Sequence, residues 1–146
     1  MKRWYFDIKR VMQVNNHGCG IATVATVCGV TYERARHEFF PKKRRFRDGE
    51  DLCVDAIAMI KVINKLGFDA ETVPDFRKVK DRPVIVPFSW SPYAPDYGIH
   101  SVVWDPFKKR FIDPGPDEGN FSEKEYVGFW KYFKYQSVVV TGKKKR

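Results

Sequence analysis

Apolar residues first recur at helical spacing just after Gly18. Ile21, Val24, Ala25 and Cys28 fall on one face and Gly29 follows as a C-cap, which predicts a helix over Cys19–Cys28. Thr31 is a good N-cap with Glu33 and Glu38 behind it, so a second short helix is expected over 32–39, stopped by Pro41. The basic stretch 41–50 reads as a loop. Asp51 is expected to open a third helix, with Leu52, Ala56, Ile57, Met59, Ile60, Ile63 and Leu66 along its apolar face and Gly67 closing it. The remaining pattern is of strands. Residues 69–73 suit a short one. Residues 83–90 form an apolar, β-branched run in which Pro87 suggests an edge or a bulge, and 91–98 read as a loop. Strands over Ile99–Trp104 and Arg110–Asp113 flank a turn at Asp105–Lys109, and Gln136–Thr141 reads as a last strand. Ser122 with Glu125 is a capping box, which predicts a late helix over about 123–132. Residues 1–12 read as a short strand or an arm. Helices first, strands afterwards and no internal repeat point to an α+β domain with N-terminal helices on an antiparallel sheet.

At 146 residues the chain suits one domain, expected over 1–142 with a basic tail at 143–146. Aromatics at 16% support a packed core, to which Phe6, Phe88 and Trp104 are assigned. No run of 18 apolar residues exists, so no membrane span is expected. Asp7, Lys9 and Arg10 interrupt any apolar stretch near the N-terminus, so it is not read as a signal peptide, and a cytoplasmic setting is expected. Three cysteines, an odd number without zinc-ligand spacing, argue against a disulfide framework and against a metal site.

Twenty-seven lysines and arginines against eighteen aspartates and glutamates leave a net charge of +9. The surplus sits in Lys42–Arg47, Lys108–Arg110 and the tail 143–146. Solvated loops and ends are the plain reading. An acidic partner or nucleic acid is the functional one, although no helix-turn-helix, zinc-finger or RNA-recognition signature occurs.

Reactive chemistry concentrates at Gln13–Gly20. Cys19 falls at the first turn of a predicted helix, where the dipole favours a thiolate, and Gly18 and Gly20 flank it so that the backbone can turn and other groups can approach. Cys28 lies at the opposite end of that helix, and Cys53 has apolar neighbours. Both are read as small buried hydrophobes. A thiolate needs a base, and the base an orienting group. Of the three histidines, His17 is too close in sequence to Cys19 for its ring to meet the sulfur, and His37 sits on a charged, solvated helix. His100 begins a strand. A hairpin centred between Phe107 and Lys108 opposes Val102 to Asp113 and Trp104 to Phe111, which makes Asp113 the diagonal, same-face neighbour of His100. A one-residue slip would put Asp113 on the opposite face. The Gln13 amide, with the Cys19 backbone N–H, can donate to a developing oxyanion.

The order Gln13…Cys19-Gly20…His100…Asp113-Pro114 resembles the papain-like cysteine peptidases that process bacteriocin leader peptides after a double glycine, in a stand-alone form. Also similar are the small-residue helix Gly20–Ala25, Lys65-Leu66-Gly67-Phe68 before a strand, Pro83–Val86, Gly98–Val103 and Phe111–Pro114. Where those peptidases often carry an acidic residue before the Cys-Gly pair, this chain has Gly18. The resemblance covers roughly residues 11–131. It implies a papain-like fold, Cys19 as nucleophile, His100 as general base and acid, Asp113 as orienting residue and Gln13 as oxyanion donor. It further implies an acyl-enzyme, a peptide or protein substrate and no cofactor. Amidase, deamidase or acyl-transferase chemistry fits the same site. The alternatives are a basic nucleic-acid-binding module, or a catalytically dead papain-like domain used for protein binding.

Overall fold

A computed structural model of the chain describes residues 4–15, 17–47, 49–89, 99–115, 120–122, 131–132 and 137–144. Three helices among them, α1 (Cys19–Cys28), α2 (Tyr32–Phe39) and α3 (Ala56–Lys65), precede the strands β1 (Phe68–Val73), β2 (Val84–Ser89), β3 (Ile99–Asp105), β4 (Arg110–Ile112), β5 (Asn120–Ser122), β6 (Lys131–Tyr132) and β7 (Ser137–Lys143). The strands form one sheet in the order β1-β7-β2-β3-β4-β5, with β6 also pairing β2, and every pairing is antiparallel.

α1 is the central helix. Gly20 through Cys28 are all buried, so the helix is covered on every side and presents no single apolar stripe. Small residues allow this. A Cβ on Gly20 would stand 2.4 Å from Val54 Cγ2, and the buried hydroxyls of Thr23 and Thr26 turn back onto the carbonyls of Gly20 and Ala22. On one side Val24, Val27 and Cys28 meet Met59, Val62 and Ile63 of α3 and the sheet residues Ile85, Val103, Ile112, Val138 and Val140. On the other, Ile21, Ala22 and Ala25 pack with Tyr32, Ala35 and Leu52. The alternate residues of the strands form a second core on the far face of the sheet. There Phe76 from a 3-10 turn (Phe76–Lys78) packs against Trp104 and Phe111 at ring separations of 5.6 and 5.2 Å.

Several expectations change. The third helix starts at Ala56 rather than Asp51, because Asp55 is the residue whose carboxylate caps it, accepting from Ala58 N at 2.8 Å. Asp51 instead accepts from Cys53 N in a local turn. Leu52 therefore packs with α1 and α2 off the α3 face, Ile57 stands 67% exposed, and Val62 takes a place in the buried stripe. Pro87 lies inside the sheet. It is tolerated because, among the described residues, β7 pairs β2 only at Val84 and Ile85 and β6 only at Phe88 and Ser89, so at Pro87 that side of β2 has no partner strand. Of the late helix, residues 123–130 lie outside the described residues, whereas Ser122 and Lys131–Tyr132 are in strands. The loop at 91–98 lies outside them too. Lys143 closes β7 rather than opening a tail, and Lys144 N bonds to the Gly67 carbonyl at 2.8 Å.

Candidate active site

The loop entering α1 is held from two sides. Gly18 N donates to the Asn15 carbonyl at 2.9 Å, while the Asn15 side-chain oxygen accepts from the Tyr32 hydroxyl at 2.9 Å and from Arg36 at 3.2 Å. Tyr32 and Arg36 lie one turn apart on α2, so one helix face grips the approach to Cys19. A side chain at Gly18 would have to displace Tyr32, since its Cβ would come within 2.1 Å of the Tyr32 hydroxyl oxygen.

The β3–β4 hairpin carries the other two groups. Asp105 makes the turn, accepting from Phe107 N at 3.0 Å and Lys108 N at 3.3 Å, and Lys109 closes it with φ 52°. Val103 then opposes Ile112 and Trp104 opposes Phe111, the register expected from the alternation of the two strands. His100 and Asp113 thus share a face, and His100 Nε2 lies 2.8 Å from Asp113 Oδ1. The same oxygen accepts from Gly115 N at 2.8 Å, and Asp113 is 4% exposed.

The Cys19 thiol and His100 act on each other's titration. Burial pushes the thiol up, but the hydrogen bond and charge of His100, with backbone hydrogen bonds from Ser101 and Gly20, outweigh it and bring Cys19 below its ordinary 9.0. Burial would lower His100, yet the bonds to Asp113 and Cys19 and their charges raise it to about 10. Both shifts run toward a thiolate and an imidazolium, with the Asp113 carboxylate at Nε2 of the ring. Such an arrangement can attack an electrophilic carbonyl and return a proton to the leaving group.

The other cysteines differ from Cys19 and from each other. Cys28 is buried, and desolvation pushes its thiol up to about 12. Cys53 is exposed rather than buried, since it precedes α3 instead of packing within it. Partial burial and its contact with Asp51 raise it to about 11. Both Cys53 and Cys19 line a cleft of about 470 Å³, walled by Val54, Ala56, Met59, Ile85, Pro87 and Ser101. His17 and His37 are exposed. Gln13 Nε2 donates to the Asn15 carbonyl at 3.1 Å, and its backbone N–H donates to Pro114 O at 2.9 Å, which ties Gln13 to the Asp113 turn. Arg10, Asn15, Tyr32 and Arg36 escaped the reading of the sequence. Of these only Tyr32 and Arg36 carry a signal, an i,i+4 pair on an otherwise charged helix. No cluster of metal-ligating residues occurs among the described residues.

No protein-family model and no curated protein matches the chain by sequence. Solved structures do match it by fold. A double glycine motif protease from an AMS/PCAT transporter, solved in complex with the leader peptide, superposes with a TM-score of 0.60 at 21% identity, over 93% of this chain and 92% of that one. The peptidase domain of Streptococcus ComA, a bifunctional ABC transporter of a quorum-sensing pathway, gives 0.56 at 16% identity, over 94% of this chain and 99% of that one. The chain has the papain-like fold of these double-glycine peptidase domains. Among the described residues, no helix is long and apolar enough to cross a membrane.

Proposed function

We propose that the chain is a cysteine peptidase-like thiol hydrolase, built as one domain over residues 1–142 and working in the cytoplasm with its thiols reduced. The observation that carries this reading is the 2.8 Å contact of His100 Nε2 with Asp113 Oδ1, supported by the opposite shifts of Cys19 and His100. The fold shared with two peptidase domains supports it, and the leader peptide bound to one of them favours a peptide as substrate here.

In the proposed reaction the Cys19 thiolate attacks the scissile carbonyl carbon. The oxyanion that forms takes hydrogen bonds from the Cys19 backbone N–H and the Gln13 amide. The His100 imidazolium gives its proton to the leaving amine, the C–N bond breaks, and an acyl-thioester remains on Cys19. A water molecule, deprotonated by His100, then attacks the thioester and releases the acid and the thiol. Asp113 keeps its charge throughout and holds the ring.

The basic residues at 42–47 are in part engaged within the chain. Lys43 pairs with Glu50 and lies 5.6 Å from the centroid of the Phe46 ring. These contacts fit a locally stabilised loop, and the peptide reading is favoured over a nucleic-acid one.

Mixed peptides incubated with the full chain, followed by mass analysis, test the proposal. New peptide termini together with an acyl adduct on Cys19, both lost in Cys19→Ala, are expected. Cleavage that persists in Cys19→Ala would overturn it.

A further inference from the structure

The N-terminal arm meets the turn that carries Asp113 at three successive carbonyls. Arg10 Nε donates to Asp113 O at 2.8 Å, Gln13 N donates to Pro114 O at 2.9 Å, and the other end of the Arg10 guanidinium donates to Gly115 O. The carbonyls face the arm while the Asp113 carboxylate folds inward, where Gly115 N meets it. The turn is tight, since a Cβ on Gly115 would stand 3.0 Å from Asp113 Oδ1. Its carboxylate cannot hold its line to His100 unless the backbone of 113–115 is itself held. Arg10 spans two of its carbonyls with a planar fork, which a single ammonium cannot do. The arm continues into α1, so one stretch of chain carries both Cys19 and the brace on Asp113. Val11 N, bonded to Thr26 Oγ1 at 3.1 Å, anchors the arm to that helix.

We propose that Arg10 is a positioning residue that keeps Asp113 in line with His100 by bracing the carbonyls of the Asp113–Gly115 turn. This rests on the reading of Cys19, His100 and Asp113 as the reacting set. Arg10 acts at one remove, since its donors reach backbone and not the ring.

The test is the pH profile of Cys19 alkylation by iodoacetamide in the full chain, with the modified residue mapped by mass. The titratable groups around the thiol are His100 with Asp113 behind it, Tyr32, Cys53 and Asp55 in the cleft wall. Arg10→Met keeps the aliphatic stem and removes the fork. It is expected to lower the Cys19 rate at pH 6 about tenfold, the thiolate fraction falling tenfold for each unit by which the thiol rises. The plateau at high pH should stay unchanged. Arg10→Lys should fall between the two, and it carries the test if Arg10→Met does not fold. In an Asp113→Ala background, Arg10→Met should add less than about twofold, because the residue it braces is gone. A profile for the Arg10 variants that coincides with the unsubstituted chain would overturn the proposal, as would a full, additive loss on top of Asp113→Ala. An unsubstituted chain whose Cys19 reacts at pH 6 no faster than a free thiol overturns the catalytic reading itself, and this inference with it.

Discussion

His100 Nε2 lies 2.8 Å from Asp113 Oδ1, and the same carboxylate oxygen is capped by Gly115 N at 2.8 Å. The two contacts fix the ring from behind. An asparagine at 113 would retain an oxygen acceptor for Nε2–H and the Gly115 cap but not the charge. Asp113→Asn should therefore cost turnover, but less than the loss of the ring itself, because the acceptor that orients it remains. His100→Ala removes the base and should cost about 10⁴-fold or more. Steady-state turnover of a cleaved peptide checks the order of the two. Equal losses would deny Asp113 a merely orienting role.

Exposure and reactivity should part company among the three cysteines. Cys53 is exposed, yet its thiol is raised to about 11, while Cys19 is half-buried and lowered. Only the thiolate attacks an alkylating agent. Timed iodoacetamide labelling at pH 6.5 should mark Cys19 first, Cys53 far behind and buried Cys28 last. Labelling in the order of solvent exposure would contradict these shifts.

Gln13→Ala should leave the fold intact and cost about 10²–10³ in turnover, the loss typical of one oxyanion donor. The Gln13 backbone N–H, which meets Pro114 O, is untouched by the change, so the Asp113 turn should hold. Unchanged turnover would remove Gln13 from the site and leave it a structural link between the arm and the turn.

The hairpin was legible in the sequence for a physical reason. Alternation along Ile99–Asp105 and Arg110–Ile112, with a turn at 106–109, admits one register that buries both apolar faces, and that register puts His100 and Asp113 together. The starts of α1 and α2 were legible from Gly18 and Thr31. The start of α3 was not, because Asp51 and Asp55 are equally good caps by type, and only the packing of Leu52 against α1 and α2 separates them. Arg10 was invisible for a different reason. Its bonds go to backbone carbonyls more than a hundred positions away, and backbone carbonyls leave no mark in sequence pattern. The fate of Cys53 followed the misplaced helix: set inside a helix it reads as buried, whereas in the extended segment before Ala56 it faces the cleft.

Gly20 lets α1 approach the segment before α3. A Cβ at Gly20 would stand 2.4 Å from Val54 Cγ2 with Met59 Cε 3.0 Å away, and a β-branched valine at 54 has little freedom to withdraw. Gly20→Val should destabilise the fold by about 2–3 kcal/mol through overpacking. Urea unfolding with an unchanged m-value would register it. A neutral result would mean that the 51–55 segment moves aside, and the cleft shared by Cys19 and Cys53 would then be plastic.

The opposite shifts of Cys19 and His100 also dictate how stability follows pH. His100 is raised above 6.5 to about 10, and Cys19 is lowered below 9.0. Cys19, lowered, contributes stability that is fully present above 9.0 and is lost as pH falls through its lowered titration. His100, raised, contributes stability that is fully present below 6.5. Between 6.5 and 9.0 the two slopes oppose each other. Above 9.0 the unfolded thiol gives up a proton while folded His100 keeps its own, so the His100 contribution is lost as pH rises through about 10. Urea midpoints for the full chain and for a Cys19→Ser, His100→Gln double variant should therefore converge as pH rises through about 10, and again on the acid side as Cys19 takes up its proton. A difference that shrinks only toward acid would mean that His100 is not held as the imidazolium, and the thiolate at Cys19 would lose its partner.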